Sequence, residues 1–210
     1  NNNAVASEFS PGLLTPIPKA GAGSAITGSV EFDGNGSYLT IPTNSDFTFD
    51  SDFTVEAWVF PSSKIAGGNN AIYTNNMSGE WNDNGDGFHI DTNRVELTGN
   101  GSVNYPSNLD SDAWTHIALV RSGSNVVVYK NGVTLLNLTN SNTFGNGSNI
   151  PGIGLLDSNA GTPRQFFAGN ISNLRVVKGT ALYADDFIPP TRELKKVPGT
   201  VLLCCQDSND

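Results

Sequence analysis

A short acidic and amide-rich segment stands out first for its capacity to bind a cation. Residues 82–87 read Asn-Asp-Asn-Gly-Asp-Gly, so Asn82, Asn84 and Asp86 supply oxygen atoms at alternate positions and a glycine stands sixth. This spacing matches the first half of a Ca²⁺-binding loop, because hard cations bind several carboxylate or carbonyl oxygens. Position twelve would be Asn93, where such loops place a bidentate Glu. The sequence therefore leaves two interpretations open, a Ca²⁺ site completed by another loop and a solvated turn.

A second acidic group precedes the most strand-like segment of the chain. Asp46, Asp50 and Asp52 lie within seven positions, just before the run Phe53-Thr-Val-Glu-Ala-Trp-Val-Phe60. Their spacing is looser than that of a cation-binding loop. Ca²⁺ is the one cofactor that either segment suggests.

Few residues are available for acid–base or nucleophilic catalysis. The chain has two histidines, His89 and His116, and no Gly-x-Ser-x-Gly elbow, phosphate-binding loop or zinc-ligand spacing. His116 lies inside a predicted strand beside Trp114, where a packed histidine is expected. The adjacent Cys204 and Cys205 predict one buried and one outward side chain at a strand end, with a redox or intersubunit role as the alternative.

The elements that must position these residues are β-strands. The chain has 23 Gly and 11 Pro, and only 15% of its residues are charged. Apolar runs recur every 10–20 residues between Gly, Asn and Pro, and Asn131-Gly132 predicts a tight hairpin between two such runs. One helical turn is predicted at 180–186. We therefore predict an all-β, two-sheet antiparallel jelly-roll β-sandwich at 25–206, an extended N-terminal arm or linker at 1–24 and a tail at 207–210.

Charge and hydropathy exclude two classes of partner. Eleven Lys and Arg stand against 20 Asp and Glu, giving a net charge of −9, which argues against nucleic-acid binding because phosphate neutralisation requires clustered basic residues. No stretch approaches 18 apolar residues, so no membrane-inserted helix is predicted. The absence of an initiator Met suggests a processed chain or a module of a longer one.

Three segments together resemble the laminin-G-like family of the concanavalin A-like lectin/glucanase superfamily. They are Gly28-Ser-Val-Glu-Phe-Asp-Gly-Asn-Gly-Ser-Tyr-Leu-Thr-Ile-Pro42 with Phe53–Val59, Trp114–Arg121 with Val128–Gly132, and Phe167–Val176 with Gly179–Tyr183. The resemblance implies two packed antiparallel sheets. Phe187–Thr191 with Gly199–Gln206 is similar to the end of such modules in tailed phages of marine cyanobacteria, which implies a virion appendage protein.

The resemblance also directs attention to sugar binding and away from catalysis. In this superfamily, sugar sites pair an aromatic ring with Asn, Asp or Gly donors on rim loops or on a sheet face. Trp81 with Asn82 and Asp83 is the candidate site, and Tyr73 and Tyr105 are weaker candidates; Trp81 could equally plug the end of the sandwich. The superfamily glucanases carry Glu-x-Asp-x-Glu on one strand, whereas Glu31-Phe32-Asp33 is followed by Gly34 and Asn35.

The resulting prediction is a non-enzymatic module on a virion surface, or otherwise extracellular. It would mediate adhesion to a host-surface glycan or to neighbouring virion proteins, including copies of itself. The alternatives are a purely structural assembly protein without a ligand site and a secreted bacterial lectin or adhesin.

Overall fold

The computed structural model describes residues 5–8, 26, 28–62, 70–76, 87–97, 103–148, 150–157 and 163–206. These ranges contain a single 3-10 turn, Ser45–Phe47, and the following strands: β1 Val5–Glu8, β2 Gly28–Asp33, β3 Leu39–Thr40, β4 Phe53–Pro61, β5 Ala71–Thr74, β6 Phe88–Asp91, β7 Arg94–Leu97, β8 Val103–Pro106, β9 Thr115–Ser122, β10 Asn125–Lys130, β11 Val133–Thr139, β12 Gly152–Ile153, β13 Leu156–Asp157, β14 Pro163–Arg164, β15 Ala168–Lys178 and β16 Thr200–Cys204.

The strands form two antiparallel sheets, as the sequence predicts, and a small β13–β14 pair. The large sheet has eight strands in the order β1-β2-β15-β4-β9-β10-β11, and β16 also pairs with β15. The small sheet has six strands in the order β3-β12-β5-β6-β7-β8. The hydrophobic core lies between these sheets, because buried side chains of both belong to one apolar cluster, among them Val55 and Val59 of the large sheet and Ile90 and Val95 of the small sheet.

Strand β4 lies at the centre of the large sheet and is covered on both faces for most of its length. Phe53, Val55, Ala57 and Val59 point into the core, which follows from the alternation of side chains along a strand. The other face of β4 carries Thr54, Glu56, Trp58 and Phe60. We call the face of the large sheet that is turned away from the small sheet the outer face.

The β10–β11 hairpin forms at Asn131-Gly132 as predicted. Both residues have positive φ, 52° and 76°, which suits a two-residue hairpin turn and favours Asn and Gly. A side chain at Gly132 would overlap with the carbonyl oxygen of Phe187, so this glycine is also needed for close packing of a later segment.

Two parts of the chain differ from the simple expectation. Residues Val5–Glu8 of the predicted arm form an edge strand antiparallel to β2, with Val5 paired with Glu31. The predicted helical turn at 180–186 is wrong. Residues 180–196 instead form an extended strap across the outer face, where Thr180 and Leu182 bond Thr54 of β4 and Pro190 bonds Trp58 of β4.

Candidate functional site

A row of polar and aromatic side chains crosses four strands at one end of the outer face. Glu31 of β2 is paired with Asn170 of β15, and Asn170 is paired with Phe60 of β4. Trp114, immediately before β9, packs against Phe60 with ring centroids 5.5 Å apart and ring planes inclined at 52°. We call Glu31, Asn170, Phe60 and Trp114 the cross-strand row.

The cross-strand row is accessible to solvent, since Phe60, Trp114 and Asn170 are half-buried and Glu31 is exposed. The Asn170 amide nitrogen donates to the Ser29 hydroxyl at 3.3 Å, which fixes the orientation of the amide. The Glu31 carboxylate makes no hydrogen bond or ion pair with another described residue. Aromatic rings beside an amide and a carboxylate can stack a flat apolar surface and bond the hydroxyl groups around it.

The strap covers the middle of the described outer face, whereas Val133 and Leu135 of β11 stay exposed. The rings of Tyr183 and Phe187 stack with centroids 3.6 Å apart, and Phe187 packs against Tyr129 of β10. The Trp58 indole N–H donates to the carbonyl oxygen of Pro190 at 2.8 Å. Pro190 of the strap therefore lies beside Trp58, the outer-face neighbour of Phe60 on β4, and the cross-strand row stays accessible.

A buried charged network lies beneath the strap. Both carboxylate oxygens of Glu56 are used: Oε1 accepts from Arg175, and Oε2 accepts from the Tyr183 hydroxyl at 2.7 Å and lies 3.3 Å from His116 Nε2. Burial alone would raise the pKa of Glu56, but His116, Arg175 and Tyr183 outweigh it and hold that pKa below its usual value. Burial, followed by the charge of Glu56, raises the pKa of Tyr183. Glu56 is completely buried, so this network fixes the strap and presents no carboxylate to a substrate.

A second polar cluster lies on the small sheet. His89 Nε2 is 3.2 Å from Asp91 Oδ2, and Arg94 bonds both Asp91 and Glu96 at 3.2 Å. Asp91 Oδ1 also accepts from the backbone N–H groups of Asn93 and Arg94, at 2.7 and 2.8 Å. Because Asp91 is saturated with donors and fully buried, it closes the β6–β7 turn and has no accessible lone pair for acid–base chemistry.

The predicted sugar and Ca²⁺ candidates Trp81, Asn82, Asp83, Asn84 and Asp86 lie outside the described residues. The described ends of their segment are joined by Asn75, whose N–H donates to the Phe88 carbonyl oxygen at 3.2 Å and whose side-chain oxygen accepts from the Phe88 N–H at 2.7 Å. Both hydrogen bonds lie at the edge of the small sheet where β5 ends, at Thr74, and β6 begins, at Phe88. The described residues on either side of this segment therefore belong to the small sheet, whereas the cross-strand row belongs to the large sheet.

The two tyrosine candidates differ in position. Tyr73 is fully buried in the core, with its ring 5.9 Å from that of Phe88, so its ring has no face open to solvent. Tyr105 is paired with Val95 in the β7–β8 ladder. Its side chain lies outside what the structure describes.

Two carboxylates of the acidic group at 46–52 already accept hydrogen bonds from neighbouring residues. Asp46 accepts from the Asn44 side chain at 3.1 Å, and Asp52 accepts from the Gly123 N–H at 2.7 Å. Burial lowers the pKa of the Arg121 guanidinium, and the charges of Asp52 and Asp50 partly oppose this lowering. Within the described ranges, no group of three or more His, Cys, Asp or Glu side chains is arranged to hold a metal ion.

Comparison with known families identifies the fold. The Laminin_G_3 family, described as concanavalin A-like lectin/glucanases superfamily, matches residues 33–186. The chain belongs to this family, as its three resembling segments suggest. Comparison with curated protein sequences gives no match.

Solved structures with the same fold share little sequence with this chain. A putative carbohydrate-binding protein from Bacteroides ovatus has a TM-score of 0.66 and 19% identity over 88% of this chain and 53% of its own. Domain 4 of the extracellular arabinanase AbnA from Geobacillus stearothermophilus, solved with arabinotriose, has a TM-score of 0.56 and 18% identity over 76% and 75%. The CBM40 of the Ruminococcus gnavus IT-sialidase, bound to α2,3-sialyllactose, has a TM-score of 0.51 and 15% identity over 64% and 79%. These similarities concern the fold.

No helix in the described part of the chain is long and apolar enough to cross a membrane.

Proposed function

We propose that this chain is a non-catalytic carbohydrate-binding module. The observation that carries the proposal is the cross-strand row, in which the Phe60–Trp114 pair offers half-exposed ring surface beside the Asn170 amide and the exposed Glu31 carboxylate. Sugars present apolar C–H faces rimmed by hydroxyl groups, so they fit a surface of aromatic rings flanked by planar polar groups.

The family and its structural neighbours support this proposal. The superfamily name joins lectins with glucanases, and the three structures described above are named for carbohydrate binding or were solved with an oligosaccharide. Catalysis has weaker support from the described residues. Glu56 and Asp91 are buried and saturated with hydrogen bonds, and the exposed Glu31 and Asp33 have no third acid on their strand.

A glycan array, followed by titration calorimetry on the strongest ligand, tests the proposal. Trp114→Ala is expected to weaken binding at least about tenfold, equivalent to ~1.4 kcal/mol, because it removes one of the two rings. Tyr38→Ala, which truncates a half-buried aromatic residue outside the row, is the matched control and is expected to bind like the unaltered chain.

Trp81→Ala separates the two candidate surfaces. If the sugar binds the cross-strand row, this variant binds normally; if it binds the segment at 81–86, Trp81→Ala loses affinity and Trp114→Ala keeps it. Absence of binding to any glycan on the array, by a folded chain, would reject the carbohydrate-binding function itself.

The setting of the module is a separate question. Placement on a virion surface and contacts with virion proteins rest on the resemblance of the C-terminal segment and stay predictions. Contacts with other copies of the chain, a structural assembly protein and a secreted bacterial lectin or adhesin stay predictions as well. Deletion of residues 1–24 tests the assembly alternative. A trimer by size-exclusion light scattering that becomes a monomer on deletion would favour assembly through the arm, and glycan binding by a monomer would favour a lectin.

A further inference from the structure

Strand β11 forms an open edge of the large sheet. It pairs with β10 on one side, and no other described strand pairs with it. Its sequence, Val-Thr-Leu-Leu-Asn-Leu-Thr, contains no charged residue and no Pro, and five of its seven residues are exposed. An open edge presents unpaired backbone N–H and C=O groups, and natural proteins usually protect it with charge, with Pro or by keeping the strand short.

The other edge strands of the two described sheets carry such protection or are less exposed. Strand β1 has four residues and ends in Glu8, β3 has two residues, and β8 has four residues and ends in Pro106. Strand β16 has five residues, and all of them are half-buried. Strand β11 is the longest of these and the one with exposed large apolar side chains, so it is the edge best suited to pair with another chain.

Apolar side chains are exposed along β11 and beside its turn. The large apolar side chains of the described residues that are exposed are Val133 and Leu135 of β11 and Ile188 of the strap. Ile188 lies beside the β10–β11 turn, because both of its neighbours in sequence approach that turn. Leu136 and Leu138 pack against the hydrophobic core but stay half-buried. A partner on this edge would therefore remove apolar surface from water as well as pair the backbone.

The free backbone groups lie in the second half of β11. The Asn140 N–H donates to the carbonyl oxygen of Ser124 at 2.8 Å, so the peptide groups of Asn140 face β10. Successive residues of a strand direct these groups to alternate sides, so those of Asn137 and Thr139 face away from β10. The ladder between β10 and β11 is irregular only near the turn, which leaves residues 136–139 as a regular and open segment.

The charge distribution selects the partner and its direction. Residues 131–156 are the longest run without a charged side chain in a chain whose net charge is −9. Copies of this chain repel one another least where two such neutral surfaces meet. Asp186 lies at the turn end of β11, where its carboxylate accepts from the Thr134 N–H at 2.8 Å. Antiparallel pairing of two copies keeps their Asp186 carboxylates at opposite ends of the contact, whereas parallel pairing would set them side by side.

We propose that β11 is the contact through which two copies of this chain form an antiparallel dimer. The outward peptide groups of Asn137 and Thr139 bond the same strand of the second copy, and the two large sheets become one continuous sheet. Because each copy contributes the same surface about a two-fold axis, association ends at the dimer.

The dimer would place the two cross-strand rows on one side. Residues that lie opposite each other in an antiparallel ladder direct their side chains to the same face, so the two outer faces form one surface. A surface that bears repeated glycans would then bind both rows at once, with a gain in avidity. This consequence rests on the proposed glycan function, whereas the dimer itself does not.

Sedimentation velocity of the full chain over a range of concentrations tests the proposal. We expect a reversible monomer–dimer equilibrium, because a contact smaller than the ~1,600 Å² of a standard interface gives weak association. Deletion of residues 1–24 should leave this equilibrium unchanged, which separates it from assembly through the arm. Amide hydrogen exchange adds a local readout: the Asn137 and Thr139 amides should exchange more slowly at high than at low protein concentration.

Variants of Asn137 test the contact directly. Asn137→Pro removes an outward N–H and spares the bonds to β10, since proline is tolerated where the N–H of an edge strand faces solvent. Asn137→Lys, which serves if the proline variant does not fold, brings two positive charges close together across the contact. Each should weaken dimerisation at least about tenfold, equivalent to ~1.4 kcal/mol.

Thr191→Lys is the matched control, because it makes the same charge change at an exposed strap residue. Its neighbour Pro190 bonds Trp58 of β4, three strands away from β11, so this variant should dimerise like the unaltered chain. A chain that stays monomeric up to about 1 mM would overturn the proposal. A dimer that neither Asn137 variant weakens, or one in which exchange along β11 does not depend on concentration, would overturn it as well.

Discussion

Arg175 donates from both Nε and Nη2 to a single carboxylate oxygen of Glu56, at 2.9 and 2.5 Å. Its remaining terminal nitrogen, Nη1, donates to the carbonyl oxygen of Lys195 at 2.9 Å. One guanidinium thus connects the centre of the large sheet to the end of the strap. Tyr183, within the strap, bonds the other oxygen of the same carboxylate. The strap is therefore held by charge-assisted hydrogen bonds at two separate points.

This arrangement predicts a large cost for neutralising Glu56. Glu56→Gln should lower the free energy of unfolding by about 3–5 kcal/mol, because it leaves Arg175 buried without its counter-ion. Denaturant unfolding near neutral pH measures the loss. Glu193→Gln, which removes a salt bridge to the exposed Lys195, is the matched control and should cost less than about 1 kcal/mol. Similar losses in the two variants would mean that the Glu56 network contributes little.

The same carboxylate predicts a pH dependence. The pKa of Glu56 is held below its usual value of 4.5 in the folded chain, so its stabilising contribution is complete above the unfolded-state pKa and is lost as the pH falls through the folded-state pKa. The difference in unfolding free energy between the unaltered chain and Glu56→Gln should therefore shrink as the pH falls below 4.5. Denaturant titrations at a series of acidic pH values measure this difference, and a constant difference would contradict the prediction.

Gly132→Ala should destabilise the chain more than a typical glycine substitution. The new methyl group would overlap with the Phe187 carbonyl oxygen and lie within 3.0 Å of Pro189, in a backbone conformation that side chains already disfavour. We expect a loss of at least about 2 kcal/mol. Gly123→Ala has a similar φ of +60° but open space around it, so it should cost about 1–2 kcal/mol from backbone strain alone. Thermal unfolding of both variants separates the overlap from the strain.

The charge of the cross-strand row predicts a preference for non-acidic glycans. Glu31 is exposed, and Asp33, two positions further along the same strand face, is exposed as well. A sugar carboxylate or sulfate would meet like charge at this edge. If the proposed site is correct, neutral glycans should bind more tightly than sialylated or sulfated ones, and Glu31→Gln should reduce the difference. Arrays read at low and high salt measure the effect, since screening should also reduce it. Tighter binding of acidic glycans would contradict the prediction.

The predicted Ca²⁺ sites can be distinguished from each other. Arg121 donates to the carbonyl oxygen of Ser51, the residue between Asp50 and Asp52, at 2.8 Å, so a second cation at 46–52 would be repelled. If Ca²⁺ raises the Tm of the chain, we expect Asp83→Asn with Asp86→Asn to remove the shift and Asp50→Asn to retain it. Addition of Ca²⁺ followed by EDTA, monitored by thermal unfolding, measures both. If Ca²⁺ does not change the Tm of the unaltered chain, both predicted Ca²⁺ sites are wrong.

Local patterns were sufficient to predict much of the fold. The run Phe53–Phe60 identified a strand, and Asn131-Gly132 identified the hairpin, because both signals depend on residues adjacent in sequence. The strap was missed for the opposite reason. Its conformation depends on Glu56, Trp58 and Arg175, which lie far away in the sequence.

The sequence also does not predict that the residues of the cross-strand row lie together. Glu31, Phe60, Trp114 and Asn170 come from separate segments, and only the order β2-β15-β4-β9 brings them together. Phe60 and Trp114 lie in or beside runs with a strand pattern, where an aromatic side chain most often packs in the core. The sequence predicts one buried and one outward cysteine, and Cys205 is buried while Cys204 is half-buried. The 3.6 Å contact between their Sγ atoms was not predictable, because it depends on the left-handed backbone of Cys205, with a φ of 61°.

The pairing along β15 has a consequence for how this unit can be built into larger molecules. Strand β4 occupies one side of β15, so β2 and β16 follow each other along the opposite side, and β1 lies beyond β2. The first and last strands therefore flank one margin of the sandwich. A unit whose first and last described strands share one margin is suited to insertion into a surface loop of a host scaffold.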